Sequence, residues 1–370
     1  MIYLDNAATT FPKPKEVIDA VCDLLSNYGG NPGRGGHRLS ALSGEKIFEC
    51  RENMAKLISA PNPENIIFTK NATEALNIAI KGCVKSGDEV IISSMEHNSV
   101  LRSAVSMEKR GVTVRIAKAD YNGYVSLRSV MDVLTARTKL ICITHASNVV
   151  GTVNPIEEIC RFARQKNILT LVDCAQTGGI LPINSEYMDM AAFAGHKGLY
   201  GPFGTGVLYV RDNILPDTLI EGGTGSMSES AFMPEALPDR YEAGTVNACG
   251  IAGLNEGIKF VMREDIFSAE KYLTDILVEK LSDIKGLHIL GNPGVGVVGM
   301  VFQNNDCVDV ASALDSEYDI ASRAGLHCSP MAHRTLGTVS KGMLRLSLGA
   351  FNTLSDVDRA AFAINEILKR

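Results

Sequence analysis

Lys197 follows an apolar run, 190–194, in the order Gly195-His196-Lys197. A lysine at the end of a buried strand is costly when charged and unpaired. Desolvation lowers its pKa, which is how an amine becomes a Schiff-base nucleophile. Asp173 ends a second apolar run, 169–172, at the carboxyl edge of an expected central strand. Open α/β sheets bind ligands beyond those carboxyl edges. An aspartate there pairs with a pyridinium nitrogen and keeps it protonated; taken singly it reads as a helix cap or turn carboxylate. Asn71-Ala72-Thr73-Glu74 joins the expected strand 66–69 to a helix. The N–H groups and hydroxyl of Ala72 and Thr73 would cradle a phosphate at that helix N-terminus, although Thr73 alone would serve as an N-cap. His97, in Glu96-His97-Asn98, follows a further strand end and can stack on a ring. Together these residues suit one phosphorylated pyridine aldehyde.

Such a set must be positioned by a sheet. Between 65 and 210 short β-branched runs alternate with amphipathic stretches. Strands are expected at 66–69, 89–93, 112–117, 139–144, 169–173, 191–194 and 206–210. Helical spacing covers 73–84, 99–110, 126–134 and 156–166. This alternation predicts an α/β fold with a mostly parallel sheet covered on both faces. Near 254 the pattern changes to helices at 250–262 and 269–284, strands at 287–290, 297–302 and 343–346, and a terminal helix from 355. A large α/β domain over 15–254 and a small α+β domain made of 1–14 and 255–370 are expected. The Gly-, Ser- and Pro-rich stretch 222–239 reads as an extended loop or hairpin.

The 370 residues are 45% hydrophobic and 21% charged, with a formal net charge of −6 and no polybasic run. That balance argues against nucleic acid or an anionic membrane as partner. No apolar stretch has bilayer-spanning length and no signal-type segment opens the chain, so a cytoplasmic location is expected. Nine cysteines are scattered without a Cys-x-x-Cys pair, so neither a metal site nor a disulfide framework is expected. Gly294-Val-Gly296-Val-Val-Gly299 satisfies the dinucleotide pattern but is followed by a strand-like run, so it reads as a small-domain turn rather than the site of a dehydrogenase.

Over nearly its whole length the chain resembles the pyridoxal-phosphate-dependent class V aminotransferases, and within them the group II cysteine desulfurases. Tyr3-Leu-Asp-Asn-Ala-Ala is similar to the family's opening strand and Asn71-Ala-Thr-Glu-Ala-Leu-Asn to its phosphate turn. Glu96-His97-Asn98 resembles the segment whose histidine stacks on the ring. Ser147-Asn148-Val-Val-Gly and Asp173-Cys-Ala-Gln176 resemble those whose Asn148 and Gln176 face the phenolic oxygen. Gly195-His196-Lys197, ahead of Leu-Tyr-Gly-Pro, matches the Schiff-base signature. Glu242-Ala-Gly-Thr245-Val-Asn resembles the segment that reaches the phosphate of a neighbouring subunit, which implies a homodimer. Three residues depart from the pattern. Ala194 stands where a Ser is frequent, leaving more of the phosphate to His196 and Thr73; Gly198 is an extra residue after the lysine; Phe351 replaces a Tyr. The chain is also shorter than is typical around 222–239.

Ser322-Arg323-Ala-Gly-Leu-His327-Cys328-Ser-Pro330 resembles the family's Arg-x-Gly-x-His-Cys loop, and Arg345-Leu-Ser347 its substrate-carboxylate arginine. A thiol beside Arg and His has neighbours suited to a thiolate, and a guanidinium fork suits a carboxylate. The fold implied is the fold type I PLP-dependent transferase fold, with pyridoxal 5'-phosphate as cofactor. The implied reaction converts L-cysteine to L-alanine and leaves a persulfide on Cys328, for delivery to a sulfur-acceptor protein. Arg345, Asn148 and Arg323 would hold the substrate, and Lys197 or His97 would take its Cα proton. The alternatives on this scaffold are a selenocysteine lyase acting on L-selenocysteine, another C–S lyase, or an aminotransferase, which would not need Cys328.

Overall fold

A computed structural model of the chain describes residues 1–32 and 35–370. The strands in chain order are β1 (Ile2–Tyr3), β2 (Ile66–Thr69), β3 (Glu89–Ser93), β4 (Thr113–Ala117), β5 (Thr138–Thr144), β6 (Leu169–Asp173), β7 (Met190–Ala194), β8 (Gly206–Val210), β9 (Leu287–Leu290), β10 (Val297–Phe302), β11 (Ile320–Ala321), β12 (Arg323–Gly325) and β13 (Met343–Ser347). Seven of them form one sheet in the order β2-β8-β7-β6-β5-β3-β4. Only β8 runs against the rest, pairing antiparallel with both β7 and β2.

Successive side chains of a strand point to opposite faces, and here each face finds its own cover. Val90 and Ile92 of β3 and Leu140 and Cys142 of β5 pack with Leu76, Ala79 and Ala104 from the helices Ala72–Cys83 and Asn98–Glu108. Ile91, Ile141 and Ile143 on the opposite face pack with Ile159 and Ala163 of the helix Ile156–Gln165. Burial on both faces explains why these strands read as unbroken apolar runs. Their parallel order places Thr69, Ser93, Thr144, Asp173 and Ala194, the last residues of five strands, along one edge of the sheet.

A continuous helix, Ala248–Arg263, leads to the helix Ile266–Ser282 and a smaller antiparallel sheet in the order β12-β13-β10-β9. Its core gathers Leu273, Leu277, Val298, Met300, Leu344, Leu346 and Ile364. The chain start joins this unit: β1 pairs with β11, and Ser347 N–H donates to the Leu4 carbonyl at 2.7 Å.

Three local expectations change. The expected helix over 126–134 is confined to Leu127–Met131. The segment 222–239 carries no strand, so the hairpin reading gives way to an irregular loop. Two helices, Lys15–Asn27 and Arg38–Leu57, were not anticipated. In the second, Ser40, Ser43 and Arg51 are buried beside Ile47 and Met54, and polar residues on the inner face blur the apolar period. The glycine pattern 294–299 does open into a strand, β10, as expected.

Candidate active site

Where the five strand ends meet lies a cavity of about 150 Å³, lined by Ala72, Thr73, His97, Asn148, Asp173, Gln176, His196 and Lys197. All eight were candidates from sequence. The strands deliver them through short turns, and glycine makes the closest approach possible: a Cβ on Gly206 would lie 2.5 Å from the Asn71 carbonyl carbon, so β8 holds the 71–74 turn in place.

At one end of the cavity, Asn71 caps the helix Ala72–Cys83 by accepting from Glu74 N–H at 2.9 Å. Among the described residues the N–H groups of Ala72 and Thr73 find no protein partner, as at helix starts generally. The Thr73 hydroxyl meets Ser99 Oγ at 2.7 Å, and Ser99 Oγ lies 2.9 Å from His97 Nδ1. Ser99 also lines the cavity and was missed from sequence; its place at the start of the helix after β3, mirroring Thr73, was the available signal.

His97 has a constrained role. Ser99 N–H donates to its Nδ1 at 3.1 Å, so the neutral ring carries its proton on Nε2. Burial, reinforced by the Lys197 charge, lowers it to about 4. The side chain of Gln176 is anchored by donating to the Ala7 carbonyl at 3.1 Å.

At the other end, Asp173 Oδ1 accepts from Ala175 N–H at 2.9 Å while Oδ2 has no hydrogen-bond partner among the described residues. Burial raises its pKa, opposed by the Ala175 bond and the Lys197 charge. Desolvation lowers Lys197 to about 8, with Asp173 opposing the shift and Arg345 and Arg323 adding to it. The donor set fits a phosphorylated pyridine: free N–H groups for the phosphate, an unpartnered carboxylate oxygen for a ring N–H, and a lysine of lowered basicity for an aldehyde.

The remaining candidates stand around this cavity. Cys328 is exposed, in the turn between β12 and the helix Pro330–Thr335. That turn is latched to the large domain. Asn98 N–H donates to the Cys328 carbonyl at 2.8 Å, Asn148 Nδ2 donates to the His327 carbonyl at 2.8 Å, and Ser329 Oγ donates to Asn148 Oδ1 at 2.8 Å. His327 and Cys328 both have left-handed backbones, φ +49° and +55°, each costing roughly 1–2 kcal/mol for a residue with a Cβ. The expected thiolate-stabilising neighbours are differently employed. His327 is lowered to about 3 by burial and by Arg345, hence neutral, and Arg323 Nε pairs with Asp5 Oδ2 at 3.2 Å.

Arg345 is 2% exposed; Nη2 pairs with Asp5 Oδ1 at 2.7 Å, Nη1 donates to the Asn148 carbonyl at 2.9 Å, and Nε has no partner among the described residues. β12 and β13 set Arg323 directly opposite Arg345, and Asp5 between them offsets the like charges. Thr245 lies outside the cavity, exposed, against Lys70 and Glu242.

The class-V aminotransferase family model matches residues 2–360. A probable cysteine desulfurase of Methanothermobacter thermautotrophicus is 36% identical over 380 residues, covering 99% of this chain and 94% of that protein. A cysteine desulfurase of Escherichia coli O127:H6 is 33% identical, covering 99% and 93%. Among solved structures, the apo cysteine desulfurase of Thermococcus onnurineus NA1 superposes with a TM-score of 0.93 at 31% identity over 100% of this chain and 94% of the other. The Escherichia coli cysteine desulfurase CsdA, in an S-sulfonic acid form, gives 0.90 at 28% identity, covering 99% and 94%.

Proposed function

The chain belongs to the class-V aminotransferase family, and we propose from this that the latched Cys328 turn is the sulfur-accepting element of its site. The activity is pyridoxal-phosphate-dependent cysteine desulfuration. When bound, the cofactor supplies an electron-withdrawing pyridinium that acidifies the substrate's Cα.

The residues of this chain divide the remaining work. Ala72 and Thr73 N–H groups, with the Thr73 and Ser99 hydroxyls and His196, hold the phosphate. Asp173 holds a proton on the ring nitrogen through its unpartnered Oδ2. Lys197 takes the Cα proton. A lysine lowered to about 8 releases and rebinds a proton near neutral pH, whereas His97 has its Nδ1 occupied and its Nε2 protonated. Arg345, joined through Nη1 to the carbonyl of the cavity-lining Asn148, receives the substrate carboxylate. Cys328 Sγ then attacks the substrate sulfur. The S–S bond forms, the C–S bond breaks, and Cβ gains a proton, so that L-cysteine and the thiol become L-alanine and a Cys328 persulfide.

The observation that carries this reading is the Asn98–Cys328 bond, which fastens the thiol turn to the residue after His97. Cysteine-dependent release of alanine and sulfide, with the persulfide mapped by mass spectrometry, tests it; a persulfide on another cysteine overturns it.

We also propose a homodimer in which Thr245 completes the neighbour's phosphate site. Its exposure away from its own cavity supports this, as does the nearby loop with Phe232 85% and Met227 63% exposed. Light scattering that finds a fully active monomer removes the proposal. The exposed Cys328 suits delivery of sulfur to an acceptor protein.

A further inference from the structure

Behind the Cys328 turn lies a line of buried groups that the sulfur chemistry does not touch. His333, fully buried on the helix Pro330–Thr335, places Nε2 3.4 Å from His327 Nδ1 and Nδ1 2.7 Å from Thr338 Oγ1. His327 Nε2 lies 3.4 Å from the Arg323 carbonyl. The two rings are nearly parallel, 15° apart, with centroids 5.6 Å apart.

One fixed acceptor sets every proton in this line. The Arg323 carbonyl only accepts, so His327 Nε2 carries a hydrogen and donates. Neutral His327 then accepts at Nδ1, which makes His333 Nε2 the donor. His333 in turn accepts at Nδ1, so the Thr338 hydroxyl donates. Burial lowers the pKa of both histidines, which keeps them in these neutral forms. The backbone repeats the connection: His333 N–H donates to the Ser329 carbonyl at 3.2 Å and Thr338 N–H to the His333 carbonyl at 2.8 Å.

We propose that the Thr338–His333–His327 chain is a positioning element for sulfur transfer, with His333 and Thr338 as positioning residues that hold the Cys328 turn. Two successive left-handed residues with side chains do not keep that shape unaided. The carbonyls of 327 and 328 are held from the large domain by Asn148 and Asn98. The ring of His327 is held by His333, so the turn is held at both backbone and side chain. The proposal rests on Cys328 as the sulfur acceptor.

The test uses the PLP-loaded enzyme with His333→Phe, His333→Gln and Thr338→Val. Phe keeps a ring but removes both hydrogen bonds; Gln keeps an N–H for His327 Nδ1. Thr338→Val should lower kcat about tenfold, the worth of one lost buried hydrogen bond, and His333→Phe, which loses two, by at least as much, with KM for cysteine within about twofold. Iodoacetamide should alkylate their Cys328 faster than in the parent enzyme, and His333→Gln should restore both kcat and the labelling rate. Parent-like labelling and kcat in His333→Phe and Thr338→Val overturn the proposal, and so does His333→Gln as impaired as His333→Phe. If His333→Phe does not fold, Thr338→Val decides, since it removes a single hydroxyl. Alkylation reads the turn without turnover, so it separates this proposal from the reading it rests on. Full desulfurase activity in Cys328→Ala would sink that reading and leave the labelling result standing.

Discussion

Asn98 donates its backbone N–H to the carbonyl of Cys328 at 2.8 Å, joining the start of a large-sheet helix to a thiol carried by the small domain. The residue before Asn98 is His97, which lines the cofactor cavity. His97 and the thiol turn are therefore fixed to each other through one hydrogen bond. A nucleophile on a flexible loop would lose the benefit of orientation, which can remove a large part of a reaction barrier.

Lys197→Ala should abolish measurable turnover, because it removes both the attachment point and the base. In the parent enzyme, borohydride should fix the cofactor to one peptide, the one bearing Lys197; a label on another lysine contradicts the assignment. The Lys197 amine, lowered to about 8 when free of the cofactor, also predicts a rising limb in the pH profile of kcat, measured with substrate saturating. Activity should increase with pH toward about 8 as the amine becomes neutral, then level off unless a second group titrates.

Asp173→Asn should lower kcat by at least about 100-fold, the usual scale for losing one charged group that acts on developing charge in a closed site. The amide keeps the shape and can still accept from Ala175 N–H, so the cofactor should stay bound. Near-normal kcat in this variant removes Asp173 from the ring-nitrogen role.

Much of this arrangement was legible in the sequence because strand ends carry it. Lys197, Asp173, Thr73 and His97 each follow a β-branched or apolar run by a few residues, and a parallel sheet brings such ends together. What was not legible is what binds across distance. The Asp5–Arg345 ion pair spans 340 positions and the Thr73–Ser99 contact 26, with no local pattern to announce them. The sequence showed a histidine beside Cys328 and suggested a charged neighbour; only burial, with Arg345 close by, makes that histidine neutral. The helix Arg38–Leu57 escaped for a related reason, since tertiary contacts bury Ser40, Ser43 and Arg51, which a period count takes as solvent-facing.

Arg345→Lys should raise KM for cysteine about tenfold or more while kcat changes less. An ammonium keeps the charge but not the fork that joins Asp5, the Asn148 carbonyl and an incoming carboxylate. Unchanged KM would place the substrate carboxylate elsewhere.

Glu270 predicts a pH-dependent stability. It is 4% exposed on the helix Ile266–Ser282, beside a cavity of about 30 Å³ that Lys197 and Gly198 also line, and burial raises its carboxyl to about 8. The folded pKa exceeds the unfolded value of 4.5, so the folded chain binds the extra proton and stability falls as pH rises from about 4.5 to 8. Glu270→Gln removes that titration. Its Tm should match the parent near pH 5 and exceed it at pH 8.5 by at least about 1 °C, the scale of roughly 1 kcal/mol for a chain of 370 residues. Equal pH dependence in both proteins contradicts the assignment.

Cys328→Ala separates desulfuration from the other reactions open to this scaffold. The substitution leaves Lys197, Asp173 and the phosphate turn untouched, so the variant should keep its cofactor and its visible spectral response to cysteine. Its turn should also stay latched, because Asn98 and Asn148 bind the carbonyls of Cys328 and His327 rather than the thiol. Cysteine-dependent alanine and persulfide should disappear, since no thiolate remains to attack the substrate sulfur. Selenocysteine turnover should fall less, because selenium is the better leaving group and depends less on a nucleophile. The buried thiols Cys50, Cys83, Cys142, Cys160 and Cys174, whose pKa values burial raises, are unsuited to the role. Replacing each by alanine should leave turnover per folded molecule unchanged. Alanine release from cysteine by Cys328→Ala at the parent rate, measured with the persulfide map, would remove the thiol from the mechanism.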